Sequence, residues 1–117
     1  MRKLKERRKH KRFDLKCMMR YQITMEGNLS DIVIAESRNI SQAGLMITTN
    51  YAMPVGATIA IEVERDIVRE YIDFNKIQSY VELENCPSDL VRIFGTIVRC
   101  QKYDDGSYSV GIHLINK

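Results

Sequence analysis

Two short patterns in this 117-residue chain hold side chains at spacings that could do chemistry. "RRKHKR" contains Arg8 and Arg12 as an R-x-x-x-R pair with Arg7 directly before it, and "NISQAG" contains Asn39, Ser41 and Gly44 as N-x-S-x-x-G. Arginine's planar fork pairs bidentately with phosphate and stacks on flat rings. Two arginines four apart in a turning segment can close around a ligand from two sides, whereas neighbours in a strand point oppositely. Asn39 brings an amide oxygen and amide protons, Ser41 a short hydroxyl, and Gly44 permits a positive φ or a close backbone approach. Each of these three would equally serve as a turn former between strands, and a basic run is commonly just a solvated one.

The charge is concentrated at one end. Residues 1–12 hold eight Lys or Arg against the single acid Glu6, or +7, in a chain of net charge +3. Residues 13–117 therefore carry ten basic and fourteen acidic side chains. That asymmetry calls for an anionic partner at the N-terminal run, not over the whole surface.

The elements that must position these residues read as strands. From Phe13 the odd positions Leu15, Cys17, Met19, Tyr21, Ile23 and Met25 are apolar or thiol, which predicts a long strand over 13–25 with one buried face. Gly27-Asn28 marks a reversal, a second strand runs from Ile32 to about Arg38, and "LMITT" from Leu45 begins a third. After the break at Pro54 and Gly56, "TIAIEVE" points Ile59, Ile61 and Val63 to one side. "VRIFGTIVRCQ" is a strand with a bulge or close backbone approach at Gly95. Asp105-Gly106 turns it into "YSVGIHLI", with Tyr108, Val110, Ile112 and Leu114 inward. Such strands, joined by tight turns with little room for crossover helices, define an all-β protein whose antiparallel sheet closes into a small barrel.

Residues 66–90 fit that pattern least. Ile67, Val68, Tyr71, Ile72, Ile77, Tyr80 and Val81 recur at intervals near three and four, as on a helix face, while their β-branched and aromatic content favours strand. The expectation is a helical insertion packed on the barrel.

In this order, around this strand pattern, the two motifs resemble those of a PilZ domain. The resemblance runs from Arg7 through "PVGATIAIEVE" to "GTIVR" and "YSVGIHL", and departs from the family only where 66–90 exceeds the usual short connection. It implies a six-stranded antiparallel barrel over 13–117 preceded by a basic ligand-clasping tail over 1–12, mobile when free. It further implies a receptor for cyclic di-GMP, with Arg7, Arg8, Arg12, Asn39, Ser41 and Gly44 as the binding residues, and an unidentified downstream protein as partner. By that analogy Arg8 and Arg12 take guanine and phosphate, and Arg7 bears on how many ligand molecules bind. The chemistry is consistent: guanine offers N7 and O6 acceptors to an arginine fork, and each charge-assisted hydrogen bond contributes about 1.5–3 kcal/mol.

Other classes find less support. A nucleic-acid binder would use the basic tail with barrel aromatics, but the rest of the chain is net acidic and has no clustered basic-aromatic stretch. A ligand-independent protein adaptor would have no use for the intact motif set. Ser41 lacks a nucleophile-elbow context and "GTIVR" lacks the glycines of a phosphate loop, so no enzyme is expected. Cys17, Cys86 and Cys100 form no C-x-x-C pair, and His10 and His113 stand far apart, so the thiols are expected to be free and no metal site is expected. Without an apolar run of about 18 residues or a secretory pattern, the expected location is the cytoplasm and no membrane span is expected.

Overall fold

The computed structural model describes residues 12–25, 27–78, 80–83 and 90–116. Nine strands occur among them: β1 (Phe13–Asp14), β2 (Met18–Met25), β3 (Asn28–Leu29), β4 (Val33–Ser41), β5 (Gly44–Thr49), β6 (Thr58–Glu64), β7 (Tyr80–Leu83), β8 (Leu90–Lys102) and β9 (Tyr108–Leu114). Six of them form a ring in the order β4, β5, β9, β8, β6, β2, and the pairing of β2 back onto β4 closes it. Every pairing in the ring is antiparallel. The all-β, six-stranded barrel expected from the sequence is thus the fold, and closure removes the long unpaired edges that an open sheet would expose.

The core follows from period-two patterning. Ile59, Ile61 and Val63 of β6 meet Val91, Ile93 and Ile97 of β8, Ile47 of β5 and Val110, Ile112 and Leu114 of β9, all buried. Across the interior the Tyr21 hydroxyl and Thr49 Oγ1 are hydrogen-bonded at 2.9 Å, joining β2 and β5, which are not neighbours in the ring. A buried phenol needs such a partner, because an unpaired one keeps its full desolvation cost.

The long strand expected over 13–25 is broken. β1 and β2 lie along the same edge of β4, and the break at residues 15–17 faces a bulge in β4 between Ser37 and Asn39. Ser37, fully buried, fills the break: its hydroxyl accepts from the Cys17 amide at 2.9 Å and donates to the Leu15 carbonyl oxygen. Cys17 and Cys100 are free and half-buried, while Cys86 lies outside the described residues.

The helix expected over 66–90 is not what forms among the described residues of that stretch. One α-helical turn, α1 (Arg65–Val68), leads to a 3-10 turn at Phe74–Lys76 and then to strand β7. Strand propensity prevails, and there is a reason in the pairing. β9 covers one edge of β8 only from Gly95 onward, so the N-terminal part of that edge is open, and β7 pairs with it from Leu90 to Ile93. Backbone groups on a half-covered strand need partners. Val68, Ile72 and Ile77 are buried and anchor this insertion on the barrel.

Candidate functional site

The register of β1 on β4 joins the two motifs. Phe13 lies opposite Ile40 and Asp14 opposite Asn39, so one further step along that register sets Arg12 beside Ser41. From there two cross-strand rows run over the outer face of the barrel. One passes Asn39, Met46, Gly111 and Arg99; the other passes Ser41, Gly44, His113 and Thr96. Directly opposed residues project to the same face. Between these rows opens a cleft of about 400 Å³, within the range of roughly 300–1,000 Å³ typical of small-molecule sites.

Two bulges aim its walls. In β4 the buried positions are Ala35 and Ser37 before the bulge and Ile40 after it, so the extra residue Arg38 changes parity and turns Asn39 outward. In β8 the buried positions are Val91, Ile93, Gly95 and Ile97, and a second bulge, between Ile97 and Arg99, changes parity again. Without it Arg99 would share the inward parity of Ile97; with it Arg99 is exposed and lines the cleft. Bulges commonly re-aim side chains beside binding sites in this way.

The floor is kept low by glycine. A Cβ on Gly44 would run into the Ile112 carbonyl oxygen, with the carbonyl carbon at 3.1 Å and His113 Cα at 3.3 Å. Gly44 is therefore required by close backbone approach, one of the two uses expected of it. Its φ is not positive. A Cβ on Gly111 would sit 3.4 Å from Arg99 Cβ and 3.8 Å from Met46 Sδ, filling the floor between the two walls.

Four of the six expected site residues, Arg12, Asn39, Ser41 and Gly44, line this one cleft. Arg7 and Arg8 lie outside the described residues. Ser41 is buried, its hydroxyl accepting from the Ala43 amide at 3.2 Å and reaching the Gly44 carbonyl oxygen at 3.3 Å, so it shapes the β4–β5 turn from within. Asn39 is half-buried, and its side-chain amide has no hydrogen-bond partner among the described residues. Arg12 and Arg99 are exposed and form no ion pair among the described residues, and no Asp or Glu among them lines the cleft. The arrangement is a shallow cationic trough with a glycine floor, suited to a flat, anionic ligand.

Sequence reasoning missed Arg99 and His113. For Arg99 a signal existed: strict alternation through Val91, Ile93, Gly95 and Ile97 fails at "IVRC", where Val98 and Arg99 are both exposed and Cys100 is half-buried. His113 follows from outward parity opposite Gly44. Among the described residues no group of His, Cys, Asp or Glu could hold a metal ion, and no helix is long and apolar enough to cross a membrane.

A closed six-stranded barrel in which the last arginine of an R-x-x-x-R sequence, Arg12, lines one cleft with an N-x-S-x-x-G turn defines a class of nucleotide-receptor domains. The PilZ domain family model matches residues 6–117, and the chain belongs to the PilZ family, a family of cyclic di-GMP receptors. Among solved structures it is similar to the Bacillus subtilis inhibitor of motility (MotI/DgrA), at 13% identity and a TM-score of 0.55. That likeness covers 93% of this chain and 43% of the other, and at this identity it bears on the fold alone. No curated protein matches the sequence.

Proposed function

We propose that this chain is a cyclic di-GMP receptor in which the dinucleotide lies in the trough over β4, β5, β9 and β8. Arg12, with Arg8 and Arg7 preceding it, closes over the ligand from the N-terminal side, supplying forks for phosphate and for guanine N7 and O6. Asn39 meets a guanine edge with its unpaired amide. Ser41 and Gly44 hold the turn in the shape that admits the ligand, and Arg99 stands at the opposite wall as a further cation. Residues 1–12 act as the clasp and 13–117 as the barrel that it closes upon. Ligand binding then changes the surface offered to a downstream protein, because contacts made only in the closed state shift the balance toward it.

The observation that carries this reading is the β1–β4 register, which brings Arg12 and Asn39 from separate motifs to one cleft free of carboxylates among the described residues. Calorimetric titration tests it. Wild-type protein should bind cyclic di-GMP and discriminate against cyclic di-AMP. Arg12→Ala should weaken binding about tenfold or more, the equivalent of one charge-assisted hydrogen bond. Equal binding of the two dinucleotides, or undiminished affinity in Arg12→Ala, would overturn it.

A further inference from the structure

Gln42 occupies one of the unspecified positions of N-x-S-x-x-G, yet no other side chain of that turn is as heavily engaged. Its Nε2 donates to the Asp73 carbonyl oxygen at 3.0 Å and to Asn116 Oδ1 at 2.8 Å, while its Oε1 accepts from the Asp73 amide at 2.6 Å. Asn116 returns the contact, its Nδ2 donating to the Gln42 carbonyl oxygen at 2.9 Å. Asp73 belongs to the insertion after α1, 31 residues away, where its own side chain caps the 3-10 turn by accepting from the Asn75 amide at 3.0 Å. The ligand turn is thus hydrogen-bonded to the insertion through the Gln42 side chain, and to Asn116 through both the side chain and the carbonyl oxygen of Gln42.

The other half of the site makes a parallel contact two residues away. Phe13, next to Arg12, packs its ring against Tyr71 with centroids 5.2 Å apart. The N-x-S-x-x-G turn and the residue next to Arg12 therefore touch the insertion within a three-residue window, at Asp73 and Tyr71. The insertion is in turn held to the barrel's end by the Ile77–Asn116 bridge and by the Gln78 amide donating to the Ile115 carbonyl oxygen at 2.7 Å.

We propose that Gln42 is a positioning residue of the ligand turn and that, with Phe13, it transmits occupancy of the trough to residues 65–78, making that insertion the output of the receptor. The proposal rests on the cyclic di-GMP reading for the identity of the ligand. Gln42 borders the neighbouring groove of the insertion and not the trough itself. Its amide can therefore be removed without deleting a ligand contact. Any coupling carried this way is reciprocal, so a protein that binds the insertion would change ligand affinity by the same factor.

Amide hydrogen exchange and calorimetry on the full chain test it together. In wild type, cyclic di-GMP should alter protection both at 39–44 and at 71–78. In ligand-free Gln42→Ala, the Asp73 amide should exchange about tenfold faster, having lost its acceptor. With ligand, this variant should still bind, within about tenfold of wild type, as expected for a lost positioning contact, with the response at 73–78 lost and that at Tyr71, reached through Phe13, retained. Gln42→Glu keeps the acceptor for the Asp73 amide and loses both donated bonds, so its response should be intermediate. If Gln42→Ala fails to fold, Asn116→Ala breaks the same network from the other side and should blunt the response too. Binding in wild type with no change at 71–78, or a full response there in Gln42→Ala, would overturn the coupling and leave the receptor reading intact. Absence of binding in wild type would overturn both.

Discussion

Arg99 offers a direct test of the site because its place in the trough depends on a single backbone irregularity. Truncation to alanine removes a guanidinium that is exposed, lines the cleft and is engaged in no ion pair among the described residues, so the fold should lose little. If the guanidinium makes one charge-assisted hydrogen bond to ligand, about 1.5–3 kcal/mol is lost. At about 1.4 kcal/mol per tenfold, that weakens the dissociation constant by about 10- to 150-fold. Lys102→Ala is the control: it removes equal charge from the same strand, outside the trough. Bulk attraction would make the two variants alike, and both effects would fade with salt. Isothermal titration with cyclic di-GMP at two ionic strengths separates the cases, with a specific contact predicting a large loss for Arg99→Ala and at most about twofold for Lys102→Ala. Arg99→Ala binding within twofold of wild type would refute the bulge argument and leave Arg99 a surface residue.

Other expectations follow from the same geometry. Gly44→Ala should destabilise the barrel by about 3 kcal/mol or more, at the upper end of overpacking effects because the obstacle is the backbone of β9, as read by urea denaturation. Tyr21→Phe should cost about 1–2 kcal/mol by leaving Thr49 Oγ1 without its buried partner, measured by thermal unfolding. Burial raises the Tyr21 pKa, outweighing the Thr49 hydrogen bond that lowers it. The folded state thus holds the phenolic proton more tightly than the unfolded one. Its contribution is complete below the unfolded value of about 10 and is lost as pH rises through the folded value, so stability should fall on that alkaline limb, less steeply in Tyr21→Phe. Glu62 lies between Arg92 at 2.7 Å and the more exposed Arg20 at 3.6 Å, so Glu62→Gln should destabilise mainly through Arg92, by about 1 kcal/mol in a chemical melt.

Much of the barrel was legible because period-two burial is a strong signal. Ile59, Ile61 and Val63, the Asp105-Gly106 turn and the inward Val110, Ile112 and Leu114 all stand where alternation put them. What alternation does not carry is a change of phase. The reading over 13–25 kept one parity through a strand that breaks at residues 15–17, and the reading of β4 stopped at Arg38, the residue inserted by the bulge. Residues 66–90 failed for a different reason. Val68 and Ile72 keep helical spacing for one turn, but Tyr80–Leu83 pair with an edge of β8 that β9 leaves open, a fact of pairing between distant segments. Gly95 was anticipated as a close approach, and a Cβ there would stand 2.7 Å from the His113 carbonyl oxygen. The β8 bulge falls after Ile97 instead.

The site shares the cause of these misses. Arg12, Asn39, Ser41 and Gly44 could be picked out because the two motifs name them, yet their meeting depends on the short pairing of β1 with the part of β4 that lies beyond its bulge. Had β4 kept its parity, Asn39 would point into the core and the N-x-S-x-x-G turn would present Ile40 outward. The paired irregularities in β4 and β8 thus do the same work on opposite walls, each turning one polar side chain out of a strand whose regular phase would bury it. A deletion that restores regular phase tests this. Removing Cys100 lets the strand run in regular phase from Ile97, with Val98 opposite Gly111 and Arg99 in the place of Cys100 opposite the buried Val110, which turns the guanidinium from the trough toward the core. Burying an unpaired cation is costly, so the expected outcome is loss of both stability and ligand binding. Deletion of Cys100 combined with Arg99→Val should recover stability but not affinity. Recovery of ligand affinity in that combination would mean that the β8 wall contributes nothing to recognition.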